Sequence, residues 1–206
     1  DDQVTTTSTV PFSLTASLSP RSSDAEDTGI LQGNWDANSQ LAVIKTGSSG
    51  VPKSILTRKT DSSDTFTGNL STLVKNEIAV FYPAAAITAN SSDTLTQTLN
   101  LSGQDGTLAG ITNYDYLWAQ CKAGMNETTG SSACEMTSLV TIGKFQFTVN
   151  GGSPLNNITR ITITATAGTL YSSAVMKLKN GEFSSTQTGN ITIKNKTGIS
   201  GTTYIS

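Results

Sequence analysis

Cys121 and Cys134 are the residues whose type and spacing offer the most chemistry. They bracket KAGMNETTGSSA, a stretch rich in Gly, Ser and Thr that closes easily into a loop. A disulfide across it would contribute about 3 kcal/mol through loop entropy. The alternative is a pair of reduced, partly buried thiols, and a composition of exported type favours the bond. Carboxylates come next. Asp61 and Asp64 stand in a polar DSSD run, whereas a glycoside-hydrolysing pair needs apolar surroundings to raise one of its pKa values. Asp24, Glu26 and Asp27 crowd one loop without the spacing of a calcium loop, and they read as a solvated cluster. Asp36 and Asn38 make half of a metal site and suit turn capping better. Trp35 and Trp118 could stack on a sugar, but both lie next to strand segments with apolar neighbours, which favours packing in a core or at its edge. Tyr114 and Tyr116 share one face of an expected strand.

What is absent narrows the function. The chain has no histidine, which removes Ser-His and Cys-His nucleophile pairs and the commonest transition-metal ligand. The expectation is a protein that is not an enzyme and carries no cofactor and no metal. Net charge is -2 with no basic run, which argues against nucleic acid as a partner. No apolar run approaches the roughly 18 residues of a membrane span. The chain opens on a polar DDQVTTTST and reads as a mature or trimmed form without its targeting segment. Asn-x-Ser/Thr triplets at Asn69, Asn90, Asn100, Asn126, Asn157, Asn190 and Asn195 follow from the Ser, Thr and Asn content, and they matter only in a host that glycosylates them.

The elements that must hold these residues are strands. Hydrophobic content is 35% and charged content 14%, with Ser, Thr, Asn and Gly filling the difference, a mix poor in helix formers. Val10, Phe12, Leu14, Ala16 and Leu18 alternate with polar residues and place one apolar face on a strand that ends at Pro20. Leu41 to Ile44, Phe66 to Leu70, Glu77 to Tyr82, Thr94 to Leu101, Tyr114 to Cys121 and Met136 to Val140 read as further strands, and Val51 to Asp64 as a loop. Lys144 to Ala167 reads as a central strand pair around the turn residues Asn150 to Pro154. Leu170 to Leu178, Asn190 to Lys194 and Thr203 to Ile205 are thinner and more polar strands. Many short strands between turn residues indicate an all-β sandwich. The 206 residues suit a single sandwich domain over 1–206, or a sandwich over 1–168 with 169–206 opening a second.

The order of segments carries a resemblance. FSLTASL is followed by a loop arginine, then by NWDANSQLAVI, FTGNL, AVFYPA, LNLSGQDGTLAGITNYDYLWA, SLVTIGKFQFTVN and ITRITITA, over about residues 10 to 166. The chain resembles the fimbrillin family of Bacteroidales, pilin-like and cell-adhesion lipoproteins. The resemblance implies a transthyretin-like β-sandwich of mostly antiparallel strands, export, and a lipid anchor on an N-terminal cysteine that this chain does not contain. It implies a structural or adhesive subunit of cell-surface fimbriae, held at the outer membrane or in the fimbrium, whose partners are other fimbrial subunits and host or bacterial surface ligands. It also implies assembly by β-strand complementation: a protease cuts after a loop arginine, the first strand leaves, and a strand from a neighbour fills the groove. Arg21 stands at the matching place, directly after Leu18, Ser19 and Pro20. Val10, Phe12, Leu14, Ala16 and Leu18 would then be the exchangeable strand. An exposed loop arginine without that role is the plainer reading of Arg21. A carbohydrate-binding surface module is the alternative function, and an exposed strip of aromatic side chains would favour it.

Overall fold

A computed structural model describes residues 9–20, 29–46, 53–71, 77–87, 96–126, 128–150, 152–199 and 201–206. Its strands in chain order are β1 (Thr9–Leu18), β2 (Gln40–Lys45), β3 (Ser54–Arg58), β4 (Thr65–Ser71), β5 (Glu77–Tyr82), β6 (Thr96–Asn100), β7 (Leu117–Lys122) and β8 (Gly124–Met125). They continue with β9 (Gly130–Ser138), β10 (Gly143–Gln146), β11 (Ile158–Ile163), β12 (Tyr171–Lys177), β13 (Phe183–Thr188), β14 (Ile191–Ile199) and β15 (Thr202–Ile205). Helix among the described residues is one α-turn, α1 (Leu108–Ile111), and two 3-10 turns, Gly29–Gln32 and Ala84–Ala86. The protein is all-β and mostly antiparallel.

The chain forms two compact units that interleave along the sequence. Unit 1 is Asp1–Leu95, Leu117–Thr137 and Leu178–Gly181, and unit 2 is Thr96–Tyr116, Ser138–Lys177 and Glu182–Ser206. The boundary near residue 168 considered from sequence falls inside unit 2.

Unit 1 is built on one sheet in the order β1-β4-β3-β2-β5-β7-β9-β8, and β9 also pairs with β1. That last pairing returns the sheet to its first strand. Closure removes the free edges that an open sheet presents to other chains. It also supplies the cover that each strand's apolar face requires, because all inward faces meet in one core. Phe12, Leu14, Leu41, Leu56, Phe66, Ile78, Val80 and Leu117 are buried there. Each such side chain contributes about 2 kcal/mol by leaving water. The β3–β4 approach is close enough to require Gly68, where an added Cβ would lie 2.6 Å from the Ile55 carbonyl oxygen. Strand β3 corrects the sequence reading of Val51 to Asp64 as a loop. It is a central strand, paired to β2 and β4. Its only buried side chain is Leu56, so it carries no period that could be read.

Unit 2 consists of three smaller ladders: β13-β12-β6, β10-β15 and β11-β14. Lys144 to Ala167 is therefore not one strand pair. Strand β10 pairs with β15 and β11 with β14, both antiparallel. Between them Thr148 and Pro154 form a single bridge, and the Val149 N–H donates to the Ser153 carbonyl at 2.9 Å, so the turn residues close a small local hairpin. The core holds Ile191, Ile193 and Ile205, with Leu101, Ile158, Ile161, Ile163 and Leu170 packed against it. A polar clasp completes it. The buried Gln104 donates Nε2–H to the carbonyls of Leu101 (2.8 Å) and Ser206 (2.9 Å), and its Oε1 accepts from the Ser206 N–H at 2.8 Å. A buried amide with its groups engaged in this way fixes the segment it serves.

Candidate functional site

The strand β1 and its seat in unit 1 are the best-defined candidate. Alternation in TVPFSLTASL puts Val10, Phe12, Leu14 and Ala16 inward at 3%, 2%, 0% and 0% exposure, with Leu18 partly buried. Both edges of the strand are engaged. Thr9 to Thr15 pair antiparallel with Ser71 to Thr65 of β4, and Phe12 to Leu18 pair parallel with Gly130 to Met136 of β9. Pro11, which has no N–H to donate, lies in the half of β1 that pairs with β4 alone. The C-terminal half is held further. The Ala16 N–H donates to the Asp64 carbonyl at 2.9 Å. The Trp35 indole N–H donates to the Ala16 carbonyl at 2.6 Å, and the Ser19 hydroxyl donates to the Glu135 carboxylate at 2.8 Å.

Trp35 is a core residue, as its place beside an apolar strand segment suggested. It is 5% exposed and meets Phe66 and Tyr82 edge-to-face, with centroids at 5.1 and 5.3 Å. Gly33, at φ 79°, comes so near Pro20 that an added Cβ would lie 3.1 Å from the Pro20 nitrogen. Arg21 and the acidic trio Asp24, Glu26 and Asp27 lie outside the described residues.

Cys121 on β7 and Cys134 on β9 are brought together on neighbouring strands. Both are free thiols, half-buried against the core of unit 1. The hydrogen bond from Cys134, with help from Ser132, holds the Cys121 thiol down to about 7 against the opposing effect of burial. The same bond, followed by burial, pushes Cys134 up.

The remaining candidates disperse. Trp118 is half-buried: it donates its indole N–H to the Leu178 carbonyl at 3.0 Å, and Gly181 lies against its ring, where an added Cβ would come within 2.9 Å. Tyr114 and Tyr116 precede β7 rather than share a strand face. Tyr116 is 5% exposed and donates its hydroxyl to the Asn100 carbonyl at 3.0 Å, and burial pushes both tyrosines above their ordinary pKa. Asp61 is exposed and pairs with Lys59 at 3.5 Å, whereas Asp64 accepts from the hydroxyl of Ser62 at 3.4 Å. Asp36 closes its turn through its backbone carbonyl, which accepts from Ser39 N–H at 3.0 Å. Among the described residues no group of three His, Cys, Asp or Glu side chains could hold a metal, and no helix is long and apolar enough to cross a membrane.

Two features escaped the sequence. Lys45 ends β2 at 3% exposure without a hydrogen-bond partner for its Nζ, and burial lowers its pKa. Unit 2 holds an open apolar hollow of about 310 Å³ on the β13-β12-β6 ladder, where Tyr171 and Phe183 stand 47% and 48% exposed beside Ser173 and Thr186. The tyrosine and phenylalanine lie on different strands, and FSSTQT of β13 has no apolar alternation that would announce it.

No family profile matches the chain, and no curated protein matches it. Among solved structures it is similar to a protein from Bacteroides ovatus that is provisionally named a cell adhesion protein. The TM-score is 0.56 at 12% identity, over 96% of this chain and 77% of that one. At that identity the likeness is one of fold.

Proposed function

We propose that the protein is a structural or adhesive subunit of the cell surface, of fimbrillin type, which assembles by exchange of strand β1. One observation carries the reading. A single alternating strand is the closing element of unit 1, laddered on both edges and inserting Val10, Phe12, Leu14 and Ala16 into the core. Removing it would open the ring between β4 and β9 and leave a groove with two free strand edges and an apolar floor. Such a groove accepts an extended segment with apolar residues at every second position. In this reading unit 1 is a flattened transthyretin-like β-sandwich whose two faces β1 joins. Cleavage after Arg21 would free the strand. The partners are other subunits of the same or related type, the place is the exterior of the cell with anchoring through a lipid on a preceding segment, and no catalysis is involved. The similar fold of the Bacteroides ovatus protein, with its adhesion name, supports the reading.

The test is digestion of the purified protein with an arginine-specific protease, followed by intact mass and size-exclusion chromatography. A single cut after Arg21, loss of the leading peptide, and oligomers that grow with concentration are expected. A cut protein that stays monomeric after its leading peptide has gone would overturn strand exchange. A second reading, a carbohydrate-binding surface module, is favoured by the exposed Tyr171 and Phe183 beside hydroxyls in the hollow of unit 2. Binding to a glycan panel that is lost in Tyr171→Ala would decide for it.

A further inference from the structure

Cys121 and Cys134 face each other across one ladder. Strand β8 continues β7 against β9, with Gly124 opposite Ser131 and Met125 opposite Gly130. Cys121 lies three residues before Gly124, and Cys134 three residues after Ser131, so the same register sets the cysteines opposite one another. The turn fixes the type of pair. Asn126 N–H donates to the Thr129 carbonyl at 2.9 Å, which makes Asn126 and Thr129 a hydrogen-bonded position. Cys121 is five residues from Asn126, an odd count, so the cysteines form a non-hydrogen-bonded pair. In such pairs the Cα atoms stand about 4.5 Å apart and the side chains lean together. That separation lies within the roughly 4.4–6.8 Å that a disulfide spans. The burial pattern agrees. Leu117, Ala119 and Ala123 on the β7 side and Met136 on β9 are buried in the core of unit 1, and both cysteines share their parity and pack against that core.

We infer that Cys121 and Cys134 form a site of reversible oxidation, closing a cross-strand disulfide that ties β9 to β7. The oxidant is a disulfide-bearing thiol carrier such as oxidised glutathione. Cys121, the thiol held down to about 7, attacks one sulfur of the oxidant as its thiolate. The oxidant's S–S bond breaks, one carrier thiolate departs and takes up a proton, and a mixed disulfide remains on Cys121. Cys134 then loses its proton and attacks the Cys121 sulfur, which expels the second carrier thiol. Two protein thiols become one disulfide, and two electrons and two protons pass to the carrier. The position of the bond gives it a consequence. Cys134 sits beside Ala16 in the parallel β1–β9 ladder. The oxidised form therefore pins the strand that seats β1, whether or not β1 is ever exchanged.

The experiment uses the full chain, fully reduced and then exposed to oxidised glutathione, with iodoacetamide trapping, peptide mapping and hydrogen exchange. In the wild type both thiols disappear together, no glutathione stays attached, and a peptide joining Cys121 to Cys134 appears. In Cys134→Ser the glutathione adduct persists on Cys121. Exchange over Gly130 to Met136 slows several-fold in the oxidised wild type. Two trappable thiols remaining after oxidation of the folded wild type would overturn the proposal, as would disulfide-linked dimers in place of the internal bond. A bond that forms without slowing exchange in β9 would overturn its pinning role.

Discussion

Units 1 and 2 use the same materials, short strands of alternating Thr, Ser and aliphatic residues, and reach different results. In unit 1 the sheet returns to its first strand, and Leu14, Ala16, Leu41, Leu56, Phe66, Ile78 and Val80 are at 0% exposure. In unit 2 the ladders stay separate, and Phe145, Val149, Leu155, Tyr171 and Phe183 stand between 39% and 48% exposed. Only Ile55 in unit 1 joins them among the described large hydrophobics. The difference lies in connectivity more than in composition. Closure gives every strand of the ring a partner on each edge and a core on one face, and β1 is the strand that achieves it. Short ladders of two or three strands leave part of their apolar surface to other uses.

The comparison can be broken at β1. Leu14→Ala should lower stability by about 2–5 kcal/mol, because the ring cannot easily collapse onto the space it leaves. Denaturant melts of unit 1, followed through Trp35 fluorescence, read the loss. A melt unchanged by this substitution would mean that β1 does not hold the ring closed. Gly68→Ala, which forces a Cβ against the Ile55 carbonyl, should cost about 1–3 kcal/mol and register in the same melt. In unit 2 the polar clasp should matter more than exposed carbon. Gln104→Ala strands the Ser206 N–H and should cost about 1–3 kcal/mol, seen as faster hydrogen exchange at Ser206. The thiols give a pH-dependent test. Alkylation of Cys121 in the reduced protein should rise with pH and reach half its maximum near 7, because the thiolate is the reacting form. Glu77 and Lys122 flank it in the β5–β7 ladder, with Glu135 beside Cys134 on β9. Cys134→Ala removes the main donor and should move the midpoint upward, toward the ordinary thiol value of 9.0. Smallest of all is Phe145→Ala, expected within about 0.5 kcal/mol because its ring is already 43% exposed.

How much of this was legible varied with the residue. Strand β1 was, because five apolar positions alternate without interruption. Trp35 was readable as a packing residue because it lies next to an apolar strand segment, Leu41 to Ile44. Strand β3 was not, since Leu56 alone is buried between Lys53 and Arg58. Strand β13 was not, because all six of its residues are exposed. Lys144 to Ala167 misled because local alternation shows that a strand exists but not which strand it pairs with. The partners of β10 and β11 lie about thirty to sixty residues on, where only tertiary structure chooses them. The loop between the cysteines was half legible. Its Asn126 does make a turn, through an Oδ1 that accepts from Thr128 and Thr129 N–H at 2.9 and 2.7 Å. The flanking Gly, Ser and Thr residues gave no sign that they would extend the two strands to within a few residues of it. The seat of β1 could not be read at all, because β4 and β9 are distant in sequence and meet only when the ring closes.

The claim on which the functional reading depends is that β1 can be replaced. The direct measurement is strand uptake after cleavage at Arg21, using a fluorescent peptide of sequence TVPFSLTASL in excess over the cut protein. The account predicts one peptide bound per protein, and no uptake of the same peptide carrying Asp at the positions of Phe12 and Leu14. Cut protein that sheds its own strand and takes up neither peptide, or takes up both equally, would contradict it.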